Sequence, residues 1–379
     1  MLSVFAERLS AIWGPFRLFS SYLVMMSIGS VLAGFLTWYF LPRLWRRLPQ
    51  DRGKPIVEGT TRSVSRGKPT GAGMLFTLLI LPVIVLLVPF ARWEYGVLFF
   101  LYVCMLCGYL DDASERPWGE LRKGMWDAVT AFGAAYCLYQ AAKGPDGMVE
   151  YWIPFFKGVW KISAVWYVIF GGILILISTN ATNCSDGVDG LAGTLSLGSL
   201  ITLAILLYLV IGYKPVALYL LIRHNPDGAR WAVFALITAG SLAGYLWYNA
   251  EPSKVLMGDA GSRFLGMLIG ILVLVSGNPF LLFVAAPVLL VNGGTGLVKL
   301  ILLRFFKRLG VDVRPPTAMG EYASAKQYGF IKILHSIRFP LHDHFRKQKK
   351  WSNAMVLMRF MLIQSILAPL LFLFFVKIR

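Results

Sequence analysis

The chain has 379 residues, of which 57% are hydrophobic, and its mean hydropathy is +0.64. Those values exclude an ordinary soluble domain and point to a protein that crosses the membrane many times. The net charge of +18 would indicate nucleic-acid binding in a soluble protein. In a membrane protein the same excess marks cytoplasmic loops, so nucleic acid is not an expected partner.

Taken in chain order, ten apolar runs are long enough to be spans: roughly 19–41, 71–91, 95–110, 125–142, 165–182, 191–212, 230–248, 262–277, 279–303 and 353–377, with boundaries good to about four residues. No cleavable signal peptide is expected, because the opening turns are amphipathic and lead into the first run without a small-residue cleavage site. Cys104 and Cys107 look like a metal or redox pair, but they lie inside a span and have no second pair to complete a site. Gly240/Gly244 and Gly266/Gly270 are small-xxx-small pairs suited to close helix packing. Residues 143–164 read as a short hairpin with Trp152 and Trp160 at the membrane interface, and 213–229 as a polar connector or short helix. With no internal repeat, residues 1–379 read as one all-α polytopic membrane domain, in which 304–352 form an enlarged basic loop.

The loops set the orientation. The loop after the first run carries Arg43, Arg46, Arg47, Arg52, Lys54, Arg62, Arg66 and Lys68, and the last loop carries ten more lysines and arginines between Lys307 and Lys350. Both follow odd-numbered spans, so both are cytoplasmic and both termini face outward. The loops after the third, fifth and seventh spans then fall on the same side. These hold Asp111-Asp112, the stretch Asn180-Ala-Thr-Asn183-Cys-Ser-Asp186-Gly-Val-Asp189-Gly-Leu191, and Asn249 to Ser262. The unusual polar clusters are therefore expected to converge on one face, as a single active site at the cytoplasmic surface.

Each cluster has a bland reading beside the chemical one. The Asn180–Leu191 stretch can be a capped helix end, but a cap needs one such residue and this stretch has four. The spacing of three places Asn180, Asn183, Asp186 and Asp189 on roughly one helical face while the helix lasts. Asp111-Asp112 can be a charged pair meeting water, or two adjacent carboxylates held near a divalent cation. Met257-Gly258-Asp259-Ala260-Gly261-Ser262 can be a tight turn with a capping aspartate, or amides cradling phosphate with Asp259 on Mg²⁺. His342 and His344 are two residues apart and do not share a helix face, so a loop contacting phosphate fits better than a metal pair. Lys68 and Lys123 supply positive charge for phosphate. Together these residues suit metal-assisted handling of a diphosphate with a lipid-borne acceptor.

Asp111-Asp112, Asn180-x-x-Asn183-x-x-Asp186-Gly-x-Asp189-Gly-Leu191, Trp247-Tyr-Asn249-Ala and Met257-Gly-Asp259-x-Gly-Ser262 resemble the polyprenyl-phosphate N-acetylhexosamine-1-phosphate transferases. Asn249-Ala-x-Pro252 and Phe339-Pro-Leu-His342-x-His344-Phe are most similar to the phospho-N-acetylmuramoyl-pentapeptide transferases among them. The resemblance runs from about residue 65 to 360 and implies ten transmembrane helices, Mg²⁺, a homodimer and a bacterial cytoplasmic (inner) membrane location among membrane lipids. The implied substrates are UDP-N-acetylmuramoyl-pentapeptide and undecaprenyl phosphate, and the implied products are lipid I and UMP. The resemblance places Asp259 as the Mg²⁺ ligand. It places Asp111, with Asp112 beside it, as the group that deprotonates the lipid phosphate. His342 joins these as a further catalytic candidate. Lys68, Thr70, Lys123, Asn180, Asn183, Asp186, Asp189, Asn249 and His344 are then substrate-binding candidates.

The chain departs from the family pattern in several places. Asp343 stands between two histidines where the family has a third, and Arg346 replaces an acidic residue. Ser65 and Glu115 each stand where a lysine is usual, and Asn292-Gly-Gly-Thr295 replaces an acidic-Thr-Leu-Ser run. The competing readings are a sister transferase that moves GlcNAc-1-phosphate, separable by donor specificity, and a transporter or lipid-binding scaffold. A transporter should carry its ionisable residues near the midplane of its spans, whereas here they cluster at span ends.

Overall fold

In lipid every backbone polar group must be satisfied within the chain, which is why apolar runs of this length become helices. The structure, a computed structural model, describes residues 6, 8, 10–51, 66–156, 158–314 and 329–377. Arg52, Lys54, Arg62 and Ser65 of the first basic loop, and residues 315–328 of the enlarged loop, lie outside them. The helices are α1 (Tyr22–Leu44), α2 (Ala72–Leu87), α3 (Arg92–Ala113), α4 (Glu120–Ala142), α5 (Ala164–Ser185), α6 (Leu191–Ile205), α7 (Lys214–Tyr219), α8 (Gly228–Asn249), α9 (Gly258–Val275), α10 (Leu281–Ala285), α11 (Thr295–Arg308), α12 (Gly329–Ser336), α13 (Leu341–Lys347) and α14 (Asn353–Phe372). Strands β1 (Val149–Trp152) and β2 (Val159–Ile162) form the expected antiparallel hairpin, with Val149 opposite Ile162.

Eight of these segments among the described residues are long and apolar enough to cross a membrane, so the protein is a multi-pass helical membrane protein. Two of the ten expected spans do not meet that standard. Helix α2 has only 16 residues, about 24 Å at 1.5 Å per residue. Helix α4 has the length but is less apolar, carrying Glu120, Arg122, Lys123 and Asp127 in its first eight residues. The run expected at 279–303 is not one span. It breaks at Ala286, where α10 ends, and resumes at Pro287, since proline cannot continue the preceding helix; the spanning segment is Pro287–Arg308. A single wide turn over Leu290–Gly294 lies within it.

Helix α9 is the centre of the bundle, the most buried of the eight segments, and packs against α2, α3, α4, α5 and α6. Lipid tails are as apolar as leucine, so close backbone approach rather than hydrophobicity holds such helices together. Gly266 and Gly270 supply it toward α5: a Cβ on Gly266 would lie 2.7 Å from both the Ser178 carbonyl oxygen and Thr179 Cα. Ser178 Oγ donates to the Gly266 carbonyl at 2.7 Å across the same contact. Gly240 and Gly244 do the same for α8 against Ser30 and Gly34 of α1. Thr37 and Ser241, both fully buried, share a 2.7 Å hydrogen bond there.

Trp152 is corrected by the structure. It is not an interface residue. It is 1% exposed, and its indole N–H donates to the Ser276 carbonyl at 3.0 Å, pinning the hairpin to the end of α9. Trp160 is half exposed.

Candidate active site

Helices α3, α5 and α8 end, and α2, α4, α6 and α9 begin, at one end of the bundle. The sequence-predicted residues gather there because the connections between these helices are short.

Gly258 opens α9 with φ +67°, a conformation that favours glycine, and it lies against the Asp112 carboxylate. Asp112 accepts from the backbone N–H of Asp259 and of Ala260, each at 3.1 Å. It therefore caps the positive end of α9 and sets the position of Asp259. The Lys68–Gly73 segment lies alongside: Ala72 N donates to the Leu256 carbonyl at 3.1 Å and Gly73 N to the Met257 carbonyl at 3.0 Å. Asp112→Ala is expected to cost about 1–2 kcal/mol of stability and most of the activity. Asp112→Asn keeps an acceptor oxygen and should regain much of that stability in thermal melts. Equal melting temperatures for the alanine variant and the wild type would remove the capping role.

Asp111 sits at the end of α3 and is mostly buried. Its Oδ1 accepts from Trp118 N at 2.7 Å, and its Oδ2 pairs with Lys123 Nζ of α4. The same ammonium lies 3.2 Å from Asp259 Oδ2. Two carboxylates from different helices thus converge on one cation. Among the described residues no group of three or more His, Cys, Asp and Glu side chains could hold a metal ion. A pair of hard oxygen donors without a full protein cage suits Mg²⁺, which takes one or two carboxylates and fills its shell with phosphate oxygens and water.

The Asn180–Leu191 stretch is divided by the fold. Helix α5 ends at Ser185, so Asp186 and Asp189 lie beyond it and the expected single face stops at Asn183. Asn183 faces α9, where its Oδ1 accepts from Ser262 Oγ at 3.1 Å. Asn180 turns back along its own helix and donates to the Leu176 carbonyl at 2.9 Å. Asp189 accepts from Ser253 N at 3.1 Å and lies 3.6 Å from Lys68 Nζ, which also donates to Ser253 Oγ at 2.9 Å. Asn249 is buried and braces two turns: its Oδ1 accepts from Gly190 N at 2.9 Å and its Nδ2 donates to the Val255 carbonyl at 2.8 Å. Thr70 is buried between Lys68 and Gly71, with its backbone N–H donating to the Pro49 carbonyl at 2.8 Å.

His342 is buried, and its Nε2 faces Gly187, where a Cβ would collide with the ring. Asn292 holds it: the Asn292 Oδ1 accepts from His342 N at 2.9 Å, and its Nδ2 reaches His342 Nδ1 at 3.2 Å and Ser185 Oγ at 2.9 Å. The asparagine that departs from the family pattern is thus the anchor of this histidine. His344 Nδ1 accepts from Arg338 N at 3.3 Å. Asp343 lies 2.9 Å from Lys347 and 3.8 Å from Arg346, so the reversed charges at 343 and 346 compensate each other. Arg346 Nη1 also donates to the Gly187 carbonyl at 3.4 Å.

Three residues not expected from the sequence belong to this region. Ser253 ties Lys68 to Asp189, and Arg263 and Asp127 form a buried ion pair beneath Asp259. For the last two the signal in the sequence is spacing: Asp127 lies four residues after Lys123, and Arg263 four after Asp259.

Comparison with known proteins agrees with this geometry. Residues 95–277 match the model of glycosyl transferase family 4. A phospho-N-acetylmuramoyl-pentapeptide-transferase of Treponema pallidum (strain Nichols) is 42% identical over 97% of this chain and 93% of its own. Proteins of the same name from Nautilia profundicola and a Nitratiruptor species are 29% and 26% identical, over 92% and 96% of this chain and 93% and 97% of theirs. With that identity extending over nearly the whole of both chains, and with the paired aspartates, the Asn-Asp stretch and the α9 aspartate assembled at one end of the bundle, the chain belongs to the phospho-N-acetylmuramoyl-pentapeptide-transferase family.

Proposed function

We propose that this protein transfers phospho-N-acetylmuramoyl-pentapeptide from its UDP-linked donor to undecaprenyl phosphate, giving lipid I and UMP in peptidoglycan synthesis. The observation that carries the reading is the convergence of Asp111 and Asp259 on Lys123 at the mouth of a bundle whose relatives carry that activity in their name. The same reading takes the protein as a homodimer of ten-span chains in the bacterial cytoplasmic membrane. Both termini face outward, and 304–352 form an enlarged basic cytoplasmic loop.

In this reading an oxygen of the lipid phosphate attacks the sugar-linked phosphorus, the bond from that phosphorus to the bridging oxygen breaks, and UMP leaves. Phosphoryl transfer needs mainly positioning and neutralised charge. Lys123 has a flexible stem and is partly exposed, so its ammonium can turn from the two aspartates to a diphosphate oxygen. Asp111 is fixed by the Trp118 amide and accepts the proton of a monoprotonated lipid phosphate. Lys68, held by Asp189 and Ser253, presents a second positive charge beside the Asn180–Leu191 turn. His342, locked by Asn292, aims a ring nitrogen at the Gly187 turn and keeps it in place for the nucleotide. Mg²⁺, held by Asp259 with Asp111 beside it, would supply charge neutralisation of the diphosphate.

The test is UMP release by purified protein in detergent with Mg²⁺ and undecaprenyl phosphate, given each donor nucleotide in turn. Release with UDP-N-acetylmuramoyl-pentapeptide, dependent on both metal and lipid, is the expected result. Release with UDP-GlcNAc alone would move the chain to the sister transferases, and release with neither from folded protein would end the enzymatic reading.

A further inference from the structure

Beneath the residues that face substrate lies a second layer of charge. Helix α4 carries Lys123 and, one turn deeper, Asp127; helix α9 carries Asp259 and, one turn deeper, Arg263. The charges alternate across the two helices. Lys123 lies 3.2 Å from Asp259, Arg263 Nη1 lies 2.8 Å from Asp127 Oδ1, and Arg263 Nη2 lies 3.3 Å from Asp259 Oδ2. The outer pair is about a quarter exposed, whereas Asp127 and Arg263 are each 4% exposed.

A buried arginine is costly unless paired. Here the pairing is partial: Arg263 Nε is buried with no hydrogen-bond partner among the described residues, so the placement of the guanidinium rests on its two Nη contacts. One of them is fixed by Asp127. The planar fork then directs the other at Asp259, an arrangement that a lysine ammonium does not reproduce. Both cations meet the same oxygen of Asp259, Oδ2. Lys123 is the one a substrate phosphate can draw away; Arg263 is enclosed.

We propose that Arg263, anchored by Asp127, is a positioning residue that holds the Asp259 carboxylate in the orientation a divalent cation requires, including when Lys123 has turned to substrate. The inference rests on the functional reading above for its link to turnover, but not for metal binding. Groups behind a metal ligand typically change metal affinity or activity about 10- to 100-fold when removed.

The test compares wild type with Asp127→Leu/Arg263→Met, which replaces the buried pair by apolar side chains, a change such pairs often tolerate. Binding of Mn²⁺ is read directly from the paramagnetic resonance of the free ion, and the Mg²⁺ dependence of UMP release is measured in parallel. The expected result is a folded variant whose Mn²⁺ half-saturation rises about tenfold, with the Mg²⁺ half-saturation of turnover rising alike and the KM for donor unchanged. Arg263→Lys keeps the charge but loses the fork. It should raise the Mn²⁺ half-saturation several-fold, and it decides the matter if the double variant does not fold. Half-saturation unchanged or lowered in a folded variant overturns the inference, as does a wild type that binds no Mn²⁺. A wild type that binds Mn²⁺ but turns over no donor sinks the functional reading instead, and the binding comparison still decides this one.

Discussion

Asp259→Asn is expected to reduce UMP release by at least about a thousandfold, roughly 4 kcal/mol in the barrier, while leaving the protein folded. Asparagine has the shape of aspartate but not its charge. The substitution removes one of the two carboxylates that converge on Lys123 and the one through which Arg263 reaches the site. Folding should survive because each cation keeps a second partner: Lys123 keeps Asp111, and Arg263 keeps Asp127. The Lys123 pair is partly exposed and contributes only roughly 1 kcal/mol, and the buried Arg263 keeps its charge paired by Asp127. A thermal melt beside the turnover assay separates the two effects. Turnover within about tenfold of wild type, or about 1.4 kcal/mol, would remove Asp259 from the centre of the chemistry.

The second large effect is expected from a single methyl group. Gly73, in the first turn of α2, packs directly on the backbone of Gly261 in α9, and a Cβ there would also lie 2.7 Å from the Ala260 carbonyl carbon. Neither side can yield easily. The α2 start is tied to the α9 start through the Ala72–Leu256 and Gly73–Met257 hydrogen bonds, and Asp112 caps the start of α9. Gly73→Ala should therefore cost about 3 kcal/mol and displace Asp259 with the helix that carries it. Gly119→Ala is the control, since that position has open space around it and φ −63°. Melting temperatures and UMP release of the two variants should diverge sharply. Equal behaviour would mean the α2–α9 contact has slack that the structure does not show.

Much of this protein was legible in the order of its residues. Apolar runs at membrane length declared a multi-pass helical protein. The small-xxx-small pairs at 240/244 and 266/270 named their own packing faces. The motifs from Asp111 to Ser262 carried the family. These features are local: hydropathy and spacing along one helix require no knowledge of a partner.

What only the tertiary structure decided is which partner each polar residue meets. Asp111 and Asp112 are adjacent in sequence, yet one faces Lys123 and the other caps α9, because successive residues on a helix point in different directions. Asn292 reads as a departure from a family pattern until the fold brings it against His342, fifty residues away. Asp127 and Arg263 lie 136 residues apart, each inside an otherwise apolar run, and their pairing depends on α4 and α9 lying side by side. The break at Ala286–Pro287 cannot be located from hydropathy, since both sides of it are equally apolar. Patterning along the chain sets which helices form. Contacts across the chain set their charges in place, because in a low-dielectric interior a charged side chain goes where its counter-charge is.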